Sequence, residues 1–181
     1  MQENAMPPSP APLVIRRFVP HEWPAYREIR LRSLADSPDA FGSTLAAEQA
    51  YGPDTWERRL AKAEVSGIDC PLAAELDGRL VGLIWAKVDA GDASLVNLFQ
   101  MWVAPEARGR GVAAALLHAA LQWARERDAR AVRLGVNCAN GAALRLYARA
   151  GFLDTGVREP MRPDSGLVEQ TMLLALKPAV A

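Results

Sequence analysis

Cysteine is scarce in this chain. Cys70 and Cys138 are the only two in 181 residues, too few for a disulfide framework or a metal cluster, and they fit a reducing cytoplasm. An excess of charge is also lacking. Lysine plus arginine number 21 and aspartate plus glutamate 21, so no global field draws nucleic acid or an anionic membrane. Any anion site must therefore be local. No apolar run approaches the roughly 20 residues that span a bilayer. Met1 to Pro12 carries Pro7, Pro8, Pro10 and Pro12 but no apolar signal-peptide core. Residues 1–12 are expected to be a disordered tail. Histidine offers little: His118 falls inside a long helical pattern, where a structural place is expected, and His21 at a helix start.

What remains is ordinary for one globular domain. Half of the residues are hydrophobic and 23% charged, enough for a single core over residues 13–178. Leu13 to Val19 reads as a strand. Trp23 to Leu34 has helical spacing through Tyr26, Ile29, Arg30 and Leu34, stopped by Pro38. Ala40 to Gly52 is irregular, and Pro53 to Ala63 reads as a second helix. Leu72–Leu76 and Leu80–Val88 flank Asp77-Gly78, a strong hairpin signal. Ser94 to Val103 is the next strand, with alternation broken around Asn97–Gln100, where a bulge fits. A long helix follows from Gly111 to Arg127. Next come a strand at Ala131–Val136, a helix capped by Asn140 and closed by Gly151, and strands at Phe152–Arg158 and Leu167–Leu176. The order predicts an α+β fold with a mixed sheet.

The most informative segment is Val103-Ala104-Pro105-Glu106-Ala107-Arg108-Gly109-Arg110-Gly111-Val112-Ala113. A strand ends, a proline turn follows, and two glycines lead into a helix. The first turn of a helix leaves N–H groups unpaired and favours negative charge. Gly109 and Gly111 let backbone approach a phosphate, and Arg108 and Arg110 add cationic donors at the rim. A pyrophosphate pocket is expected here. Gly109 to Ala114 also fits G-x-G-x-x-G/A, but it lies past the middle of the chain, a turn separates it from its strand, and the next strand offers no acid for a ribose. No Lys-Ser/Thr follows Gly111, so a Walker loop fails. A tight turn with solvated arginines is the bland alternative.

The segment Asn137-Cys138-Ala139-Asn140-Gly141-Ala142-Ala143-Leu144-Arg145-Leu146-Tyr147-Ala148-Arg149-Ala150-Gly151-Phe152 follows at the distance of strand, helix, strand. With Arg108, Gly111 and Ala113 on the loop, and Asn140, Tyr147, Ala148, Gly151 and Phe152 here, the chain resembles the GNAT superfamily of N-acetyltransferases. The resemblance covers roughly residues 13–177. Arg30-Leu31-Arg32-Ser33-Leu34 and Ser37-Pro38-Asp39-Ala40-Phe41-Gly42-Ser43 resemble a common branch of it. It implies a mixed, mostly antiparallel twisted sheet of about seven strands with four helices, splayed between the fourth and fifth strands.

That resemblance implies acetyl-CoA as co-substrate, no metal, and a primary amine of a small molecule or a peptide as acceptor. The amine would attack directly in a ternary complex. Coenzyme contacts are expected from Met101, Trp102, Val103, Arg108, Gly109, Arg110, Gly111, Val112, Ala113, Asn137, Asn140, Ala143 and Tyr147. Met101 to Val103 would pair with the amide-rich pantetheine arm and polarise the thioester carbonyl. Tyr147 would reprotonate the departing thiolate. Asn140 serves as helix cap and coenzyme ligand together.

One departure stands out. Family members often carry a glutamate on the fourth strand that draws the amine's proton. Here the strand reads Leu95-Val96-Asn97-Leu98-Phe99-Gln100-Met101, with no acid. Glu48, Glu75, Asp154 and Glu159 are substitutes, as is loss to solvent. A non-catalytic acyl-CoA-binding regulatory module is therefore the alternative. Trp56, Trp85, Phe41 and Trp102 are candidates to line an acceptor pocket between the first helices and the Glu159–Gly166 loop. Nothing beside Cys138 activates it as a nucleophile. A homodimer is left open.

Overall fold

The computed structural model describes residues 12–176. The chain runs β1 (Leu13–Arg17), α1 (Trp23–Asp36), α2 (Leu45–Gln49), α3 (Pro53–Ser66), β2 (Asp69–Leu76), β3 (Arg79–Val88), β4 (Leu95–Val103), α4 (Val112–Glu126), β5 (Ala131–Asn137), α5 (Gly141–Arg149), β6 (Leu153–Pro160) and β7 (Val168–Ala175). The strands form one seven-stranded sheet in the order β1-β2-β3-β4-β5-β7-β6. Every neighbouring pair is antiparallel except β4 with β5. The expected 1–12 tail and the end of the expected 13–178 domain fall largely outside the described residues.

Local chemistry explains most element boundaries. Asp77 and Gly78 take φ of 51° and 70°, the paired positive values of a tight hairpin turn, and join Leu76 to Arg79. Pro53 opens α3, where a missing N–H costs nothing, and Gly67 closes it in the left-handed region. Asn140 Oδ1 accepts from the Ala143 amide at 3.1 Å and caps α5. The irregular Ala40–Gly52 stretch holds a fifth, five-residue helix, α2, beside the four main ones; Thr44 caps it through the Ala47 amide. One turn and a half is too short to leave a periodic signal.

The sheet's two faces carry different helices. On one, α4 buries Val112, Leu116, Leu117, Ala120, Leu121 and Ala124, with Leu116 over Gly82 of β3. On the other, α1 and α3 bring Tyr26, Trp56 and Leu60. Tyr26 is wholly buried and meets Phe18, Trp56 and Trp85 at ring distances of 5.4–5.8 Å. Trp56 and Trp102 are core residues and Phe41 is buried, so of the four aromatics expected to line an acceptor pocket only Trp85 is partly open. His118 is exposed on the outer side of α4, not structural. Among the described residues, no helix is long and apolar enough to cross a membrane.

Two irregularities in β4 shape the centre of the sheet. Leu83 pairs with Trp102 but Trp85 with Phe99, so β4 holds one extra residue, and Gln100 sits there at φ 58°. This is the bulge expected near Asn97–Gln100. Then β4 and β5 pair only from Leu95 with Ala131 to Leu98 with Leu134. Beyond that point the strands part.

Candidate active site

The loop expected to hold phosphate begins where β4 stops. Pro105–Ala107 makes a single 3-10 turn. Gly109 and Gly111 then adopt φ of 73° and 78°. A Cβ on either glycine would meet no protein atom within 4 Å, so the left-handed backbone, not crowding, explains glycine here. Gly111 is the N-cap of α4 and supplies no side-chain cap. The amides of Gly109, Arg110, Gly111, Val112, Ala113 and Ala114 donate to no acceptor among the described residues. A row of bare N–H groups thus faces outward at the positive end of a 15-residue helix.

These amides open into a cleft of about 710 Å³ whose walls include Met101, Trp102, Val103, Arg108, Gly109, Gly111, Val112, Ala113, Asn140 and Ala143. Ten of the thirteen residues expected from sequence therefore meet in one place. Arg110 does not: its side chain lies with Arg32, Arg79 and Glu106 in a separate groove, because the loop's turn throws alternate side chains apart. Arg108 lines the cleft but is not a free cation. Its Nε donates to the Val103 carbonyl at 3.0 Å and its terminal nitrogen pairs with Asp36. Sequence reading missed Arg145 and Arg149, which line the cleft from α5 and form no ion pair among the described residues. Their spacing of four after the Asn140 cap was the available signal.

From the cleft, Met101, Asn140 and Ala143 lead to a small opening between the parted strands, also lined by Gln100, Gly135, Asn137 and Tyr147. Tyr147 is buried and stacks edge-on against Phe152 at 5.7 Å. Its hydroxyl makes no hydrogen bond among the described residues, and burial raises its pKa above the ordinary phenol value. Asn140 spends Oδ1 on the cap and keeps its Nδ2 unpaired among the described residues. Asn137 differs from expectation. Its Nδ2 donates to Asp39 O at 2.7 Å and its Oδ1 accepts from the Ala139 amide at 2.9 Å. One N–H and one lone pair of this side chain are thus engaged by protein.

On the sheet's other face the opening meets a groove in two lobes. One, about 320 Å³, is lined by Tyr26, Arg59, Lys62, Asp69, Trp85 and Lys87. The other, about 550 Å³, is lined by Asp89, Asn97, Arg133, Glu159, Glu169 and Thr171. Phe99, half-exposed, belongs to both lobes and to the opening. The Glu159–Gly166 loop approaches this side, since Arg162 donates to the Pro38 and Phe41 carbonyls.

The two side-chain amides of β4 each have a protein partner. Gln100 Oε1 accepts from Tyr26 at 2.9 Å, and Asn97 bridges Asp89 and Arg133. Of the substitute acids, Glu48 is buried between Arg30 and Arg59, Glu75 pairs with Arg16, and Asp154 pairs with Arg158. Glu159 alone of the four lines the groove. Glu169 beside it was not singled out from sequence, where it reads as one more strand residue. Cys138 is exposed, while burial pushes the Cys70 thiol up to about 11.

A model of the acetyltransferase (GNAT) family matches residues 23–152. A mycothiol acetyltransferase of Cellulomonas flavigena is 31% identical over 160 residues, covering 83% of this chain and 43% of that protein. The chain thus spans less than half the length of that relative. A GNAT-family acetyltransferase of Streptococcus pneumoniae superposes with a TM-score of 0.79 at 22% identity, over 91% of this chain and all of that one. A Salmonella typhimurium protein solved with its cofactor acetyl-CoA superposes with a TM-score of 0.77 at 20% identity, over 94% of this chain and 98% of that one. These two likenesses show a shared fold over the whole sheet. The chain belongs to the GNAT acetyltransferase family.

Proposed function

We propose that this protein is an acetyl-CoA-dependent N-acetyltransferase, with residues 13–178 as its single catalytic domain. The observation that carries the reading is the row of unpaired amides at Gly109–Ala114, joined by one cleft to an opening beneath Tyr147. The amides and the helix dipole hold the coenzyme's pyrophosphate. Arg145 and Arg149 add cationic donors for its remaining phosphate. Met101, Trp102 and Val103 stand along the free edge of β4, where an extended amide chain can pair with backbone. Asn140 directs its spare Nδ2 into the same cleft.

The acetyl group then reaches the opening and the amine arrives from the groove on the other face. A backbone N–H on the parted stretch of β4 polarises the thioester carbonyl as the C–N bond forms. Holding both reactants at one aperture removes most of the entropic barrier. As the C–S bond breaks, Tyr147 gives its proton to the thiolate. Arg108 and Asn137 are positioning residues: one ties the loop to α1, the other ties the β5 end to Asp39.

The acceptor is a primary amine. The mycothiol acetyltransferase likeness covers less than half of that protein, so its acceptor is not carried over. Calorimetry with acetyl-CoA, followed by an amine panel read by mass, tests the reading. Saturable binding and a mass gain of one acetyl are expected. Binding without release of free thiol toward any amine would instead favour an acyl-CoA-binding regulatory module, and no binding would end both.

A further inference from the structure

The acceptor amine must lose a proton, and β4 has no acid to take it. On the neighbouring strand pair, β7 runs antiparallel to β5, with Glu169 beside Asn137 and Thr171 beside Gly135. A Cβ built on Gly135 would lie 2.7 Å from Oε2, 2.9 Å from Oε1 and 2.8 Å from Cδ of Glu169. The carboxylate therefore rests on the β5 backbone, in the space a side chain at Gly135 would fill. Gly135 is the residue directly after Leu134, the last on β5 to pair with β4. It lines both the opening and the acceptor-side groove. The carboxylate thus sits on the acceptor-side lip of the aperture.

Of the other acids in the groove, Glu159 is exposed and the aspartates are spoken for. Asp89 is bound by Asn97 and Arg133, and Asp69 by Trp85, Ser66 and Lys87. The Glu169 carboxylate takes part in no hydrogen bond or ion pair among the described residues, although the residue is half-buried. Building on the acetyltransferase reading above, we propose that Glu169 is the base that accepts the acceptor's proton, and that Gly135 lacks a side chain so that the carboxylate can stand there.

Burial first, and the charge of Glu159 next, raise the pKa of Glu169 above the ordinary carboxylate value. It is thereby a stronger base than a solvated glutamate. The charged groups around it are Glu159 and Arg158 on β6, Arg133 on β5 tied to Asp89, and the Asp39–Arg162 pair beyond Asn137. The step balances. Glu169 takes one proton from the ammonium, and the free amine forms the C–N bond. The C–S bond then breaks and the Tyr147 proton goes to sulfur. One of the two protons left on the acylated nitrogen restores the phenol, the other stays as the amide N–H, and Glu169 returns its own to solvent through the open groove.

The test uses the full-length chain, acetyl-CoA and the panel amine that the unaltered protein acetylates fastest. Glu169→Gln is expected to bind acetyl-CoA with an unchanged Kd by calorimetry. Its kcat/KM at neutral pH should fall by about 10²- to 10³-fold, in the range of a lost general base. The acid limb of its pH profile should vanish, leaving a rate that climbs with hydroxide toward the amine's own pKa. Glu159→Gln should move the acid limb to lower pH, since it removes a like charge. Gly135→Ala, which displaces the carboxylate without altering it, should lower kcat while sparing acetyl-CoA binding. A Glu169→Gln enzyme with the original rate and acid limb would overturn the proposal, and so would one that loses acetyl-CoA binding. Acetyl-CoA binding by the unaltered chain with no amine turned over would instead sink the transferase reading itself.

Discussion

Asp36, the last residue of α1, forms an ion pair with Arg108 of the loop before α4 across 72 positions of sequence. The same carboxylate oxygen accepts from the Trp102 indole at 2.9 Å. One side chain therefore ties α1, β4 and the loop together. The Trp102 hydrogen bond, followed by those of Ser37 and Arg108, holds the Asp36 carboxyl below its ordinary range against a smaller desolvation effect. The pair is partly exposed, so its own contribution to stability is about 0–1 kcal/mol. Its larger role is to set the loop. Asp36→Asn should raise the Kd for acetyl-CoA several-fold, with kcat changed less and the melting temperature nearly unmoved. A Kd within error of the original would show that the loop holds its shape unaided.

Tyr147→Phe keeps the ring against Phe152 and removes only the hydroxyl. Turnover should drop by about 10²-fold or more, with the Kd for acetyl-CoA within about twofold. Burial raises the phenol's pKa, so the group stays protonated through the neutral range. The loss should therefore be uniform between about pH 6 and 9. Rates measured under saturating acetyl-CoA check this, and an unaltered kcat removes Tyr147 from the mechanism.

Gly111→Ala places a side chain at φ 78°. The left-handed backbone should cost about 1 kcal/mol, read as a lower urea midpoint. If the loop relaxes to relieve that strain, the bare amides turn away from one another. Acetyl-CoA affinity should then fall by more than the stability loss alone explains.

Arg145→Ala and Arg149→Ala, combined, should weaken acetyl-CoA binding about tenfold at low salt, and the deficit should shrink as salt rises. Coenzyme lacking the 3′-phosphate should bind the variant and the original more nearly alike. An equal loss for both ligands would place the two arginines on the pyrophosphate instead.

Arg30 and Glu48 form a buried ion pair at 2.8 Å, each side chain 4% exposed. Burial pushes the Glu48 carboxyl up, but hydrogen bonds and charge from Arg30, with Ser43 and Arg59, outweigh it and leave the pKa depressed. A depressed carboxylate stabilises the fold above its unfolded pKa, and that contribution is lost as pH falls through the folded value. Arg30→Met leaves Glu48 with Arg59 as its one cation among the groups named above and should cost about 3–5 kcal/mol at neutral pH. In acid the difference between variant and original should narrow, because protonation of Glu48 removes the unpaired charge. Denaturation at two pH values measures it.

Much of this molecule was legible from single stretches of chain. The Asp77-Gly78 hairpin, the Asn140 cap, the Gly151 stop and the Gly109/Gly111 loop depend on backbone angles and hydrogen bonds made within a few residues, so the residues that need them are neighbours in sequence. The bulge near Gln100 showed as a break in alternation for the same reason. The short helix α2 was not legible, because five residues carry no period. Arg108 and Asn137 were placed correctly on their elements, but their partners were not visible. Asp36 and Asp39 come from the far end of the chain, and nothing in either local pattern names them.

The sequence alone therefore determined the order of elements, the bare helix mouth and the family they resemble, since each rests on short-range geometry. Only the tertiary structure decided that β4 and β5 part after Leu98, that Arg108 is tied down while Arg145 and Arg149 are free of ion pairs among the described residues, and that Glu169 rests on Gly135. Those facts depend on which strands become neighbours and in what register. A one-residue slip of β7 would turn Glu169 to the other face of the sheet.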